Sequence, residues 1–565
     1  MAGKKRPARK AKKAETKDKK RKYLFVVGGV MSGVGKGVAA SSIGTILKGR
    51  GLSVTALKID PYINVDAGTM NPTEHGEVFV LEDGDETDQD MGNYERFLDT
   101  TFSKINYMTT GRVYLEVIRK ERNLEYEGRN VEVVPDIPKE VNRRIKRAAK
   151  EADADVTIIE VGGTIGEYQN IIFLEAARML KAENPDDVGI VLVSYLPVPA
   201  KVGEMKTKPT QYAARTLNGV GLQADIIIAR STHALDKKRK EKIATFCSIH
   251  ADRVISAPDV ESIYDVPINF EKDKLSDILL DVLKAKPGRK NNVMDEWKKF
   301  VASSKRAKNE VHIAVVGKYF NSGSFVLSDV YISVLEAIKT AGYTQGVKPK
   351  IHYVSSQQFE EKGADMSVLK QYDGVLIPGG FGTKGIDGKL KVIEYVRKNK
   401  IPYFGICYGM QLLVIEYARN KAKLTGAHTH EVDQNTPYPV IAIMESQKEH
   451  MEKGRFGGTM RLGGYKCMLE DGTIAREAYG KKEVCERHRH RFEVNPEYIE
   501  KLENAGLVFS GKSPDGTLME IAELSKEVHP FMLGAQFHPE FTSRPLAAQP
   551  LFCAFIKAAK ERSKK

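Results

Sequence analysis

The sequence has little cysteine: five residues in 565, Cys247, Cys407, Cys467, Cys485 and Cys553. They are odd in number and none stands in a Cys-x-x-Cys spacing, which argues against a disulfide framework or a zinc cluster and for a reducing, cytoplasmic setting. Long apolar runs are also missing. None approaches the roughly 18–20 residues needed to span a bilayer, so a membrane protein is not expected. The N-terminus lacks the apolar core of a secretory signal. There is a single tryptophan, Trp297, no internal repeat, and no low-complexity stretch beyond the first 22 residues.

What is present is a 41% hydrophobic, 29% charged composition, that of a soluble globular chain long enough for two or three domains. The formal net charge of +14 raises nucleic acid as a partner, but its distribution argues otherwise. Residues 1–22 hold twelve Lys or Arg against only Glu15 and Asp18, so most of the excess belongs to this segment. With too few apolar residues to bury, it reads as a disordered, solvated tail that binds polyanions weakly. No specific nucleic-acid partner is expected.

From Tyr23 onward, short β-branched runs alternate with helical stretches: YLFVV, VTALKID, VTIIEVGG, IVLVSYLPV, ADIIIAR and RVISAP. This alternation predicts a parallel sheet with helices on both faces over 23–272. Residues 273–310 are Lys-rich, contain Pro287, Gly288 and Trp297, and read as a linker with a short helix. A second series, VHIAVVGKY, DGVLIPGG, PYFGICYG and FMLGAQFHPE, occupies 311–561. The expected fold class is therefore α/β, with two doubly wound domains.

In the second series Gly405-Ile406-Cys407-Tyr408-Gly409 lies between a strand-like run and a helical pattern, the arrangement of a nucleophile elbow. The helix N-terminus behind Cys407 favours thiolate, the reactive form. Downstream, His538 and Glu540 supply an imidazole and a carboxylate to orient it, completing a Cys-His-Glu triad.

In the first series, the strand ending at Gly28 leads into Gly29-Val30-Met31-Ser32-Gly33-Val34-Gly35-Lys36-Gly37 and then a helix. Such a turn points backbone N–H groups at an anion, with Lys36 adding a charge. Five residues separate Gly29 from Gly35 where a P-loop has four, and Gly37 stands where a metal-binding Ser or Thr is usual. The stretch is either a nucleotide site or a tight structural turn. A phosphoryl-transfer site without that hydroxyl needs metal ligands from elsewhere. Asp60, Asp83, Asp85, Asp88, Asp90 and Glu160 are the candidates, although the aspartates also fit a solvated acidic loop. Glu160 stands out because it ends a parallel strand, where such folds bind ligands. Lys206-Thr207-Lys208-Pro209-Thr210-Gln211 either holds phosphates or is merely exposed.

Taken together, KIDPYINVDAGTMNPTEHGEVFVLEDGDETDQDMGNYERF, GEMKTKPTQY, PGGFG, GICYGMQ, GGTMRLGG, ERHRHRFEVN and QFHPEFTSRP, in this order, resemble the CTP synthases, glutamine-dependent UTP amidoligases. The resemblance runs from Tyr23 to about Ala559. It implies an amidoligase domain followed by a class I glutaminase, with ATP as co-substrate, Mg²⁺, GTP as allosteric activator and a homotetramer. Filaments are a further assembly that the resemblance admits.

By the same resemblance Ser32, Gly33, Val34, Gly35, Lys36 and Gly37 would hold ATP phosphates, and Arg230, Asp259 and Val260 its base and ribose. Asp90 and Glu160 would be the Mg²⁺ ligands. Ser32, Lys58, His75, Glu167, Tyr168, Gln169, Lys206, Thr207, Lys208, Gln211 and Lys242 would contact UTP or CTP. Gly380, Tyr408, Gln411, Glu431 and Arg487 would contact glutamine, Gly380 and the N–H after Cys407 forming the oxyanion hole. Phe381 to Gly388 resembles a mobile lid. Glu167-Tyr168-Gln169 stands where the family usually reads Asp-Ile-Glu, which bears on CTP feedback. Lys384 stands where the family has Arg, and cannot make the same bidentate contact, which bears on GTP. A scaffold that keeps the fold without turnover would have lost Lys36, Cys407 or His538, and none is lost. An amidoligase acting on another substrate is the remaining rival, and the KTKPTQ and ERHRHR segments speak against it.

Overall fold

The computed structural model describes residues 19–564 apart from 202, 319–320, 323–324, 327, 381, 445–446 and 448–456. Of the tail expected over residues 1–22, residues 1–18 lie outside the described residues. Its last residues are ordered parts of the domain: Lys22 opens the first strand, and Lys19 and Lys22 pair with Asp155 at 2.8 Å and Asp187 at 2.7 Å.

The first sheet has seven parallel strands: β1 (Lys22–Gly28), β2 (Val54–Asp60), β3 (Tyr107–Thr109), β4 (Val156–Val161), β5 (Val188–Tyr195), β6 (Ile226–Ser231) and β7 (Val254–Pro258). Their order is β3-β2-β4-β1-β5-β6-β7. Every residue of β1 is buried, as its unbroken apolar run requires of a central strand covered on both faces. The chain leaves β1 toward β2 and later returns past β4 to β5 on the other side. The end of β1 is thus a topological switch point, where open α/β sheets bind ligands. Helix α1 (Lys36–Gly49) starts there. A hairpin, Val78–Val80 with Glu86–Asp88, leads into α2 (Asp90–Leu98).

The segment expected as a linker folds onto this domain. It forms α3 (Leu275–Val282) and α4 (Val293–Arg306). Leu275, Leu279, Trp297, Phe300 and Val301 join one core with Leu24, Val26 and Ile43. Trp297 donates to the Tyr264 carbonyl at 2.9 Å. The lysines lie on the exposed face of α4 and in the turns that flank α3, which is why the segment reads as a linker.

The second sheet has nine strands: β8 (Glu310–Gly317), β9 (Lys348–Ser355), β10 (Gly374–Ile377), β11 (Tyr403–Ile406), β12 (Arg461–Leu469), β13 (Glu483–His490), β14 (Val508–Lys512), β15 (Met519–Glu523) and β16 (Met532–Ala535). The order is β9-β8-β10-β11-β16-β15-β14-β12-β13. The first five are parallel and the last four are antiparallel to their neighbours. Helices α5 (Ile332–Thr344), α6 (Ile386–Lys398) and α7 (Tyr408–Asn420) cover it. Because α6 begins at Ile386, the end of the expected lid is helical, and Phe381 lies outside the described residues.

The two domains are packed together. Phe541, from the second, joins the core around Phe79 and lies edge-on to that ring at 4.9 Å. Glu95, on α2, is fully buried and pairs with Arg487 and Arg544.

Candidate active sites

Cys407 follows β11 and His538 follows β16, and these strands are adjacent, Ile406 pairing with Ala535. Parallel register therefore brings two residues far apart in sequence to the same sheet end. Cys407 has φ 51°, an energetically costly value for a residue with a side chain. Its flanking glycines are needed for contact: a Cβ at Gly405 would lie 2.6 Å from the Gly409 backbone, and one at Gly409 2.3 Å from the Ile377 carbonyl. His538 Nδ1 bonds Glu540 at 2.7 Å, and the imidazole is buried. Cys407, His538 and Glu540 line one pocket with Gly379, Gly380 and Arg489. Burial would lower the His538 pKa, but the Glu540 carboxylate and the Cys407 sulfur outweigh it and push it up to about 10. The imidazole is thus built to hold a proton beside the sulfur.

Of the residues expected around glutamine, Gly380 lines this pocket and Tyr408 begins α7 directly after the nucleophile. Glu431 accepts from the Gly382 N–H at 2.9 Å, at the start of the lid. Gln411 is buried behind the pocket. Arg487 is not brought to it. Its side chain, 1% exposed, crosses to the first domain and binds Glu95 at 2.9 Å, Glu82 at 3.2 Å and the Val80 carbonyl at 3.1 Å. Arg487 is thus an interdomain clamp. Arg489, two residues on along β13, reaches the pocket wall while bonding Glu86 at 2.8 Å. Arg487→Met leaves Glu82 and Glu95 short of a buried cation. It is expected to cost about 3 kcal/mol in denaturant unfolding, and an unchanged midpoint contradicts the clamp.

At the switch point of the first sheet, Ser32, Gly33, Val34, Gly35, Lys36 and Gly37 line a cavity of about 780 Å³ together with Lys58, Asp60, His75, Asp88, Asp90, Glu160, Glu167 and Gln169. Lys36 Nζ donates to the Gly163 carbonyl at 2.9 Å. Beneath it the buried Lys58 ammonium binds Asp90, Glu160 at 2.9 Å and Asp60 at 3.6 Å. Burial would lower the Lys58 pKa, but these carboxylates raise it well above the usual value. Burial, then Asp60 and Asp90, raise that of Asp88. Carboxylates outnumber ammonium groups in this cluster. Gly37 has a steric reason: a Cβ there would lie 2.1 Å from Asp90 Oδ1. The carboxylate fills the space where a P-loop hydroxyl would stand.

Adjoining this cavity is a second of about 360 Å³, walled by Gly35, Val38, Arg230, Ala257, Asp259, Val260, Ile263 and Phe270 among others. Gly35 and Val38 line both, and Arg230, in the second, donates to the Val34 carbonyl at 3.2 Å and to Asp259 at 2.7 Å. An apolar slot beside a phosphate loop suits a nucleoside base.

Tyr168 is 95% exposed, and Lys206, Thr207, Lys208, Gln211 and Lys242 do not line the cavity. Lys206 pairs with Glu204 at 2.7 Å, Gln211 donates to Thr207 at 3.1 Å, and Lys242 is exposed. Lys384 is exposed at the lid. Sequence reasoning missed Tyr94, whose hydroxyl donates to Glu160 from α2, and Glu77, which lines the Cys407 pocket. Tyr94 lies within a quoted motif, but only the α2 packing reveals its target.

Glu77 accepts from the Ser333 N–H at 3.2 Å across the domain boundary. Burial raises its pKa from 4.5 to about 7. A carboxyl with a raised folded pKa stabilises the fold below the unfolded value, and that stability is lost as pH rises toward the folded one. Between about pH 4.5 and 7, wild-type stability should therefore fall relative to Glu77→Gln, by on the order of 3 kcal/mol in total. Parallel pH curves in urea melts contradict this.

A phosphate-loop domain packed on a Cys-His-Glu domain defines a two-site, nucleotide-dependent amidotransferase. Comparison with known proteins makes this specific. Residues 22–285 match the family model described as CTP synthase N-terminus, and 326–558 the one described as glutamine amidotransferase class-I. The chain is 48% identical to the CTP synthase of Thermococcus gammatolerans over 96% of its own length and 99% of that protein's. It is 47% identical to that of Methanosarcina barkeri over the same shares. Among solved structures, the glutaminase domain of Trypanosoma brucei CTPS with bound acivicin is 36% identical, covers 44% of this chain and 94% of that one, and has a TM-score of 0.41. The chain belongs to the CTP synthase family.

Proposed function

We propose that the protein converts UTP to CTP with ATP, using ammonia that its second domain releases from glutamine. The observation that carries this reading is a shared wall: Pro72 and Val330 line both the Cys407 pocket and the phosphate-loop cavity. A thiol hydrolase and a phosphate site thus abut within one molecule.

In the glutaminase step the Cys407 thiolate attacks the amide carbon. Gly380 and the N–H of Tyr408 stabilise the oxyanion. As the C–N bond breaks, the His538 imidazolium donates its proton to the leaving nitrogen, giving ammonia and a glutamyl thioester. Water then hydrolyses the thioester to glutamate and free Cys407. The ammonia passes between Pro72 and Val330. In the synthase step O4 of UTP takes the γ-phosphoryl group of ATP, releasing ADP. Ammonia then adds at C4, and phosphate and a proton leave to give the 4-amino group.

Asp90 and Glu160 would hold Mg²⁺. They fit it, because both converge on one buried cation, Lys58 Nζ, in a cluster rich in carboxylate. Among the described residues no group of three or more His, Cys, Asp or Glu forms a metal site. That suits Mg²⁺, which commonly takes one or two carboxylates and completes its shell with phosphates and water. When bound it would neutralise charge on the transferring phosphoryl group. Lys36 would hold the same phosphates, and the Arg230 slot the adenine and ribose.

Lys58, His75, Glu167 and Gln169 would face UTP. Lys206, Lys208, Gln211 and Lys242 would serve the cavity of a neighbouring copy in a homotetramer, since within one chain they are not brought to it. GTP would act at the lid beside Lys384. No helix among the described residues is long and apolar enough to cross a membrane.

Purified protein given ATP, UTP, Mg²⁺ and glutamine is expected to form CTP, measured by chromatography. No CTP with either glutamine or ammonium overturns the reading.

A further inference from the structure

Behind Cys407, a hydrogen-bond path fixes the polarity of a buried amide aimed at the sulfur. The Phe492 carbonyl can only accept. Gln411 must therefore present its Nε2, which lies 2.8 Å away. The same Nε2 donates to Gln536 Oε1 at 3.2 Å. With its oxygen so engaged, Gln536 turns its own Nε2 toward Cys407 Sγ, at 3.7 Å. Gln536 is fully buried, and Gln411 nearly so, so water cannot substitute for either. The backbone leaves no slack, because the Cys407 N–H donates to the Ala535 carbonyl at 2.6 Å, immediately before Gln536.

We propose that Gln536 is a further catalytic residue of the glutaminase half. Its amide N–H donates to the Cys407 thiolate, holding it for attack. Gln411 is a positioning residue that locks the Gln536 amide the right way round. Among the described residues the Arg489 carbonyl, at 3.8 Å from β13, and His538, backed by Glu540, also face the sulfur. The carbonyl suits the thiol and opposes the thiolate, so Gln536 supplies the neutral donor that offsets it. A hydrogen bond to the charged form favours that form.

The inference rests on the glutaminase reading, yet its test does not require turnover. Alkylation of Cys407 by iodoacetamide is followed against pH in the full-length protein, with peptide mapping to assign the site. Gln536→Leu keeps the bulk and removes the donor. Its profile is expected to move about one unit to higher pH, with kcat/KM for glutamine falling about 10²-fold. CTP formation from free ammonia, which reports that the variant is folded, should stay within about twofold of wild type. Gln536→Glu, which still accepts from Gln411 but turns an oxygen toward the sulfur, should alkylate more slowly than Gln536→Leu at pH 8. An unmoved alkylation profile in Gln536→Leu, or equal rates for the two variants, overturns the proposal. Failure of wild-type protein to hydrolyse glutamine, with the profile shift intact, refutes the glutaminase reading instead.

Discussion

Cys407→Ala is expected to abolish CTP synthesis from glutamine, by at least about 10⁴-fold, while synthesis from ammonium salts stays within about twofold. The first effect follows from removing the only group at the elbow that can form a thioester. The second follows from separation: among the described residues the phosphate-loop cavity is lined by no member of the Cys-His-Glu triad, and it shares with the Cys407 pocket only the wall formed by Pro72 and Val330. Alanine leaves Glu540 and His538 paired and does not touch the interdomain clamp at Arg487. Loss of ammonia-dependent synthesis in this variant would mean that Cys407 also supports the synthase site.

Gly37→Ser should do the converse. In an ordinary P-loop serine is the normal residue at this position, so sequence logic alone would call the change an improvement. Here the new Cβ would collide with Asp90 Oδ1 at 2.1 Å, and Asp90 is tied to Lys58 and, through it, to Glu160. Displacing that carboxylate removes a candidate metal ligand and leaves Lys58 underpaired in a buried site. Synthesis should fall about 10²- to 10³-fold from either nitrogen source, read as kcat for CTP with saturating ATP and UTP. Iodoacetamide labelling of Cys407 should persist. Retained synthesis would show that Asp90 has room to move and is not a required ligand.

Much of this architecture is legible in the chain because a central parallel strand must be apolar on both faces. The runs YLFVV, VTIIE and IVLVS have no other economical placement, and they became β1, β4 and β5. The antiparallel strands β12 to β15 went unread because they mix charge with apolar residues, and their pattern makes sense only against partners. Arg461 in β12, for instance, binds the buried Glu520 of β15 at 2.7 Å. The elbow was legible because its glycines are sterically required. Arg487 was misplaced for a specific reason. Strand alternation puts Arg487 and Arg489 on one face of β13, and nothing local says which of them reaches substrate. The deciding partners, Glu82, Glu86 and Glu95, lie about 400 residues earlier. Trp297 reads as part of a linker because its Lys-rich neighbours mask a single buried helix face. The split of the expected UTP contacts between a cavity and residues that do not line it also has no local signature.

Delivery of nitrogen from Cys407 to the synthase cavity is the central claim, and isotope partition tests it most directly. Glutamine labelled with ¹⁵N in its amide is supplied with ATP, UTP and Mg²⁺ alongside an equal concentration of unlabelled ammonium, and the amino group of the CTP is read by mass spectrometry. Passage between Pro72 and Val330 predicts ¹⁵N in the product far above its share of the ammonium in solution. A label diluted to that share would show that ammonia leaves the protein before it reaches UTP, and would contradict the account.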